Sequence, residues 1–215
     1  NSAAGVVRYD GTSFQRLASY EDGFTRAKVQ DIREDEEGNV LFLMQQSGIL
    51  RISLGLELSY VGGDPADQTN PFAGKFLNSF QILPGGHLLV GTNNGLSIYR
   101  NDPATDSYMH TGDLSDLTYL LVQEIKKAVG EDEYWVGTED EGLYSILGSG
   151  FDPDGFAVEK IAVEQGLGYA RISSIVFDGP SREWISEYGT GIHRLEVDEK
   201  GRPVNRMLVN VEIGM

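Results

Sequence analysis

One short unit recurs five times along this chain of 215 residues, and this repetition restricts the fold more than any other feature. Each copy is a glycine followed by a short, mainly apolar run. The copies span residues 5–9, 48–52, 95–99, 142–146 and 191–195, so successive glycines are 43, 47, 47 and 49 residues apart. A nearly constant period of this length is the signature of a repeat architecture, in which every repeat forms one supersecondary unit. The chain is therefore predicted to be an array of similar units.

Three further segments hold fixed places in the period. We label the predicted strands A to D in chain order, the glycine-led run being strand C. Strand A is an alternating segment at residues 29–32, 77–80, 121–125 and 172–175, and strand B is an apolar segment at residues 40–44, 88–92, 134–138 and 184–187. Strand D is more polar and spans residues 14–18, 57–61, 107–111, 156–163 and 204–209. Short runs rich in β-branched and aromatic residues, bounded by Gly, Pro, Asn and Asp, are typical of strands.

Four short antiparallel strands that recur about every 47 residues describe a blade of a β-propeller. A β-sandwich also has many short strands, but it has no reason to repeat one motif at constant spacing. The sequence therefore predicts an all-β protein with about four and a half blades. Residues 1–28 supply strands C and D of a first blade, and complete blades span residues 29–76, 77–119, 120–171 and 172–215.

The incomplete first blade predicts that further strands pair with this chain. Native proteins avoid exposed sheet edges, so we expect the remaining blades of a larger propeller, or a second copy, to meet this edge. A seven-bladed ring would need about 330 residues. A closed five-bladed ring with one thin blade is the alternative.

The charge of the chain excludes some partners. Lys and Arg total 17 against 33 Asp and Glu, which gives a net charge of −16. Such a surface repels phosphate groups, so no nucleic acid partner is predicted, and we expect membrane attachment only through segments outside this sequence. The absence of cysteine rules out disulfides and thiolate sites. Cysteine usage therefore leaves the compartment open.

No signature of catalysis or of a cofactor is present. The sequence contains neither a G-x-S-x-G elbow nor a glycine-rich phosphate loop. The three histidines, His87, His110 and His193, fall at unrelated positions of different repeats, so no metal site is predicted. Trp135 and Trp184 share one place in strand B, where we expect them to pack between blades. The chain is therefore predicted to have no enzymatic activity and no cofactor.

The loops between strands offer a candidate binding site. In a blade, the B–C and D–A loops emerge at the same end, where they are free to vary while the strands must pack. Amide, carboxylate, aromatic and arginine side chains in these loops suit a polyhydroxylated ligand. The candidate ligand-binding residues are Arg26, Gln46, Asn93, Asn94, Glu139, Asp140, Tyr169, Arg171 and Tyr188. Phe72 is a further aromatic residue in a D–A loop.

The repeats resemble those of the two-component regulator propeller family, whose repeat reads approximately V-x-x-I-x-x-D-x-x-G-x-L-W-I-G-T-x-x-G-L-x-R-Y. Residues 29–39 match its first half, and residues 135–138 and 142–144 match its second half. Departures are Leu41 and Leu89 in place of the tryptophan, and Met44 and Glu187 in place of the threonine. The resemblance implies an extracytoplasmic, periplasmic sensor domain of a bacterial membrane receptor, often a hybrid histidine kinase. It also implies ligands that are often carbohydrate fragments.

These observations favour a non-catalytic, ligand-sensing propeller module that binds a small molecule or an oligosaccharide. A protein–protein interaction scaffold is the alternative, because propellers present broad faces. A propeller lyase or glycosidase is a third reading, which loss of turnover on mutating one acidic residue would favour.

Overall fold

A computed structural model describes residues 6–18, 28–64, 66–128, 132–161, 170–179, 182–197 and 203–209. Within these ranges the protein is built from β-strands, and its helical segments are three single 3-10 turns at Pro84–Gly86, Ser115–Leu117 and Pro153–Gly155. None of the helical segments in the described ranges has the length and apolarity of a membrane span. The predicted all-β class is confirmed.

The strands form one two-stranded hairpin and four four-stranded sheets. The hairpin consists of β1 (Val6–Tyr9) and β2 (Phe14–Ala18). The first sheet contains β3 (Val29–Glu34), β4 (Val40–Met44), β5 (Gly48–Ile52) and β6 (Leu58–Val61). The second contains β7 (Leu77–Ile82), β8 (Leu88–Thr92), β9 (Gly95–Asp102) and β10 (Ser107–Asp113). The third contains β11 (Val122–Lys127), β12 (Glu133–Thr138), β13 (Leu143–Leu147) and β14 (Ala157–Ile161). The fourth contains β15 (Ile172–Phe177), β16 (Arg182–Glu187), β17 (Gly191–Val197) and β18 (Pro203–Leu208).

Every sheet has its strands in chain order, and consecutive strands are hydrogen-bonded neighbours. This is the meander of a propeller blade, with strand A at one edge and strand D at the other. The prediction of four-stranded antiparallel blades is therefore confirmed.

The repeat glycine owes its regular spacing to backbone geometry. Gly95 has a φ of 116°, and a Cβ there would lie 2.9 Å from the carbonyl oxygen of Leu117. Only glycine fits such a position without strain.

The chain divides into two compact units. The first unit contains residues 1–77 and 101–109. Its core joins the hairpin to the first blade, because Val6 of β1 packs with Phe42, Met44, Leu50 and Ile52. An ion pair adds to this unit, since Nη1 of Arg51 lies 2.9 Å from Oδ1 of Asp106.

The second unit contains residues 78–100 and 110–215, and two apolar clusters lie among its described residues. One cluster is made by residues of the second and third blades, among them Leu89, Ile98 and Val136. The other is made by the third and fourth blades and contains Trp135, Ile172 and Ile185. Adjacent blades of this unit thus share apolar interiors, which supply the main stabilisation of a repeat array.

The aromatic residues singled out from the sequence are buried to different extents. Trp135 is buried, and its ring meets that of Phe177 edge to face at 5.4 Å, so its predicted packing role is confirmed. Trp184 is only half-buried. Phe72 lies in a D–A loop as predicted, but its side chain is not accessible to a ligand. It is fully buried with its ring 6.1 Å from that of Tyr108, because the compact turns after β6 fold it into the first unit.

Candidate functional site

In the first, third and fourth blades, a recurring backbone hydrogen bond joins the B–C and D–A loops at one end of the blade. The residue after strand B donates its N–H to the carbonyl of the residue before strand A. The bonds are Gln45 to Lys28 at 3.0 Å, Glu139 to Leu121 at 2.9 Å and Tyr188 to Arg171 at 2.9 Å. We call this end of a blade the loop end. Asn93, Glu139 and Tyr188, three candidate residues, occupy one equivalent position directly after strand B.

Three candidate residues of the second unit form one connected cluster. Nη1 of Arg171 lies 2.9 Å from Oε1 of Glu139. The guanidinium carbon of Arg171 lies 4.7 Å from the centre of the Tyr188 ring, which is a cation–π contact. Gln123, which is not a sequence candidate, donates a hydrogen bond from Nε2 to Oε2 of Glu139. We call these four residues the loop-end cluster.

Solvent exposure increases through the cluster from Glu139 to Arg171 to Tyr188. The side chain of Glu139 is 22% exposed, that of Arg171 is 42% exposed, and Tyr188 is 72% exposed. The partly exposed Glu139 and Arg171 therefore lie against one side of an aromatic ring that is mostly exposed to solvent. Such a ring gives an apolar surface with little conformational freedom, and the arginine and glutamate beside it supply directional hydrogen bonds.

Other candidates lie at loop ends without joining this cluster. Asn93 and Asn94 are exposed in the turn between β8 and β9, and Oδ1 of Asn93 accepts a 2.8 Å hydrogen bond from Nδ2 of Asn78. Asp140 is exposed in the turn between β12 and β13, and Gln46 is exposed in a turn of the first unit. Arg26 and Tyr169 lie outside the described residues.

The fourth blade closes its B–C turn differently from the two blades before it. In the third blade, Oγ1 of Thr138 donates to the carbonyl of Gly142 at 2.8 Å and accepts from the N–H of Glu141 at 3.1 Å. Thr92 closes the second blade's turn in the same way. In the fourth blade, Glu187 occupies this position and places Oε2 2.9 Å from Nε2 of the buried His193. The departure from the threonine of the repeat thus falls directly beside Tyr188.

A buried glutamate, Glu183, lies at the opposite end of strand B. Glu183 is only 4% exposed, and its Oε2 has no hydrogen-bond partner. Burial, together with the nearby charge of Glu133, raises the pKa of Glu183 to about 8. Oε1 of Glu133 accepts hydrogen bonds from Ser145 at 2.8 Å and Trp135 at 3.3 Å. Glu183 stands where the preceding blades have Leu88 and Tyr134, so it belongs to the packing between blades.

Among the residues that the structure describes, no three His, Asp or Glu side chains come together as metal ligands. Gln123 and Asn78 are not among the site residues predicted from the sequence. Their signal was a polar residue in second place of strand A, which recurs as Gln30, Asn78, Gln123 and Ser173. Strand alternation alone gives no reason to expect these side chains to reach the B–C loop.

No protein-family model matches the sequence, and a search of curated proteins gives no match. Solved structures do show similarity. A streptogramin B lyase structure has a TM-score of 0.66 at 14% identity, covering 98% of this chain and 63% of the lyase. The extracellular domain of a putative hybrid two component system from B. thetaiotaomicron has a TM-score of 0.58 at 18% identity, covering 85% of this chain and 22% of that one.

A third similar structure is YCF48 bound to D1 peptide, with a TM-score of 0.59 at 14% identity over 87% of this chain and 55% of that one. The chain therefore spans less than two thirds of the length of each of these proteins. Similarity at such low identity shows the fold, and together with the blade topology it establishes a β-propeller.

Proposed function

We propose that this chain is a ligand-sensing propeller module of a bacterial membrane signalling receptor of the hybrid two-component type. It acts outside the cytoplasm, in the periplasm, and binds a small solute such as a saccharide without catalysis. The repeat pattern supports this proposal, because it resembles the two-component regulator family over most of the chain. The similarity to the extracellular domain of a putative hybrid two component system is a second support.

The observation that carries the proposal is the loop-end cluster. A saccharide offers apolar ring faces and many hydroxyl groups, so it is recognised by aromatic rings next to charged and amide side chains. Tyr188 is such a ring, while Glu139 and Arg171 are polar groups within reach of a molecule stacked on it. Three of its residues lie on loops that connect packed strands, and Gln123 lies in β11 itself, so the backbone of the cluster is held in place.

A protein-interaction scaffold is the second candidate, and a different surface favours it. In the hairpin of the first unit, the rings of Tyr9 and Phe14 stack at 4.6 Å, and they are 58% and 77% exposed. Exposed aromatic residues of this kind are enriched at protein interfaces. YCF48, a propeller similar to this chain, is known with a bound peptide. The two candidate functions therefore use different residues and can be separated by mutation.

Titration calorimetry with a panel of neutral and acidic mono- to tetrasaccharides tests the proposal. We expect saturable binding of at least one saccharide, weakened at least about tenfold, which is about 1.4 kcal/mol, by Arg171→Ala. The matched control is Arg182→Ala, because Arg182 also carries an exposed ion pair in the fourth blade but lies at the other end of strand B. Equal weakening by both variants, or no binding across the panel, contradicts the proposal. Conversion of the bound saccharide, seen by NMR, would instead indicate an enzyme.

A further inference from the structure

We propose that Gln123 is a positioning residue of the loop-end site. It fixes the carboxylate of Glu139, Glu139 fixes the guanidinium of Arg171, and Arg171 holds the ring of Tyr188 with one face free for a ligand. The ligand in this inference rests on the proposed function. The order of contacts rests only on the described residues.

The backbone of strand A explains how Gln123 reaches the loop. Val122 pairs with Thr138 and Glu124 pairs with Gly137, so Gln123 is one extra residue opposite the partner strand. This irregularity is a β-bulge, which bends the strand and redirects the side chain of the extra residue. The redirected amide of Gln123 meets Glu139, the first residue after strand B. In a regular strand, the side chain at this position would point to one face of the sheet.

Glu139 uses both of its carboxylate oxygens in the cluster. Oε2 accepts from Gln123, and Oε1 lies 2.9 Å from Nη1 of Arg171. A partly exposed ion pair alone contributes little, because two long side chains must be held in one geometry. The second hydrogen bond stops the carboxylate from rotating. Gln123 therefore turns a loose surface pair into a pair of fixed direction.

Arg171 makes two contacts that restrict the motion of Tyr188. Its carbonyl accepts the N–H of Tyr188 at 2.9 Å, and its guanidinium lies over the ring at 4.7 Å. Tyr188 remains 72% exposed with this face covered, so its other face is available. A ring that is ordered before binding lowers the entropy cost of ligand association. Gln123 thus acts on binding without touching the ligand.

The other blades supply a matched control. Gln30 is the same amino acid at the same kind of bulge, since Val29 pairs with Met44 and Asp31 pairs with Leu43 in the first blade. Ser173 is the bulge residue of the fourth blade, and its hydroxyl contacts Ser186. A bulge residue is thus a common element of these blades, whereas among the described residues the link to an arginine stacked on tyrosine is made by Gln123.

The experiment is ¹⁹F NMR of ligand-free protein that carries 3-fluorotyrosine. The resonance of Tyr188 is identified by its loss in Tyr188→Phe. In Gln123→Leu, which keeps the volume and removes the donor, we expect this resonance to move at least halfway from its wild-type position to that in Arg171→Met. Gln30→Leu should leave it in place. Glu139→Gln, which removes the carboxylate charge that pairs with Arg171, should reproduce the shift. Gln123→Met, which also removes the donor, serves as the second variant if Gln123→Leu does not fold.

A wild-type Tyr188 resonance in Gln123→Leu or Glu139→Gln overturns the inference, and so does an equal shift in Gln30→Leu. An unmoved resonance in Arg171→Met also overturns it, because the stacking contact would then be absent in solution. No saccharide is used, so the result is independent of the calorimetric titration. Failure of that titration alone refutes the proposed function and leaves the order of contacts standing.

Discussion

The substitution Gly137→Ala, which adds one methyl group, tests how closely the blades of the second unit pack. No positive φ is found at Gly137 in β12, so an alanine there suffers no backbone strain of that kind. Its Cβ would lie 2.7 Å from Cγ2 and 2.9 Å from Cβ of Ile172, the first residue of β15. Ile172 is fully buried and β-branched, so its side chain has few alternative rotamers. The two strands must therefore separate.

The expected loss follows from this forced separation. Overpacking of a close-packed core costs about 1–3 kcal/mol of unfolding free energy. For a domain of this size, each kcal/mol lowers the melting temperature by about 2–4 °C, so Gly137→Ala should melt about 2–12 °C below the wild type. Gly91→Ala should lose at least as much, because its Cβ would lie 2.4 Å from Cγ1 of Val122.

Thermal unfolding followed by circular dichroism gives the answer. The control is Gly55→Ala, where the nearest heavy atom to a new Cβ is Oγ of Ser53 at 3.6 Å, so we expect a melting temperature close to that of the wild type. If Gly137→Ala and Gly55→Ala melt together, β12 and β15 are not in contact as described, and the reasoning is refuted.

Two further predictions concern the interior of the second unit. Trp135→Ala should cost about 3–5 kcal/mol in urea unfolding, and Trp184→Ala less because Trp184 is only half-buried; an equal cost would contradict this order. The wild-type protein should lose stability as the pH rises from 4.5, the ordinary pKa of Glu183, to about 8, its pKa in the folded protein. Glu183→Gln should abolish this loss. The folded protein retains the proton there and the unfolded chain releases it, so stability falls as pH rises. Urea midpoints across this range should flatten in Glu183→Gln but not in the exposed control Glu159→Gln.

The positions of the strands could be predicted from the sequence because glycine marks them. The glycine that begins strand C takes a positive φ, as at Gly95, so no other residue replaces it and the period remains visible. Strand B is buried on both faces of its sheet, as the buried neighbours Trp135 and Val136 show, so its apolar run is continuous. The architecture could therefore be predicted from the sequence because backbone geometry and burial both leave a pattern in it.

The candidate site could be predicted only in part. Loop-end geometry follows from the order of strands, and it led to Glu139, Arg171 and Tyr188 separately. Their contact depends on side-chain direction, which a strand pattern does not carry. Gln123 escaped prediction because a β-bulge breaks the alternation on which strand faces are assigned. Phe72 lies in the predicted loop but is buried by the turns after β6, and loop position alone does not distinguish a buried aromatic residue from an exposed one.

The most direct measurement of the central proposal is amide chemical-shift mapping by NMR during titration with the tightest-binding saccharide of the panel. Binding at the loop end predicts that the largest shifts fall on Glu139, Asp140, Arg171 and Tyr188. Arg171→Ala should need at least about tenfold more saccharide to reach them. Shifts centred on Tyr9 and Phe14 of the hairpin, or at the opposite end of strand B near Glu183, would contradict it.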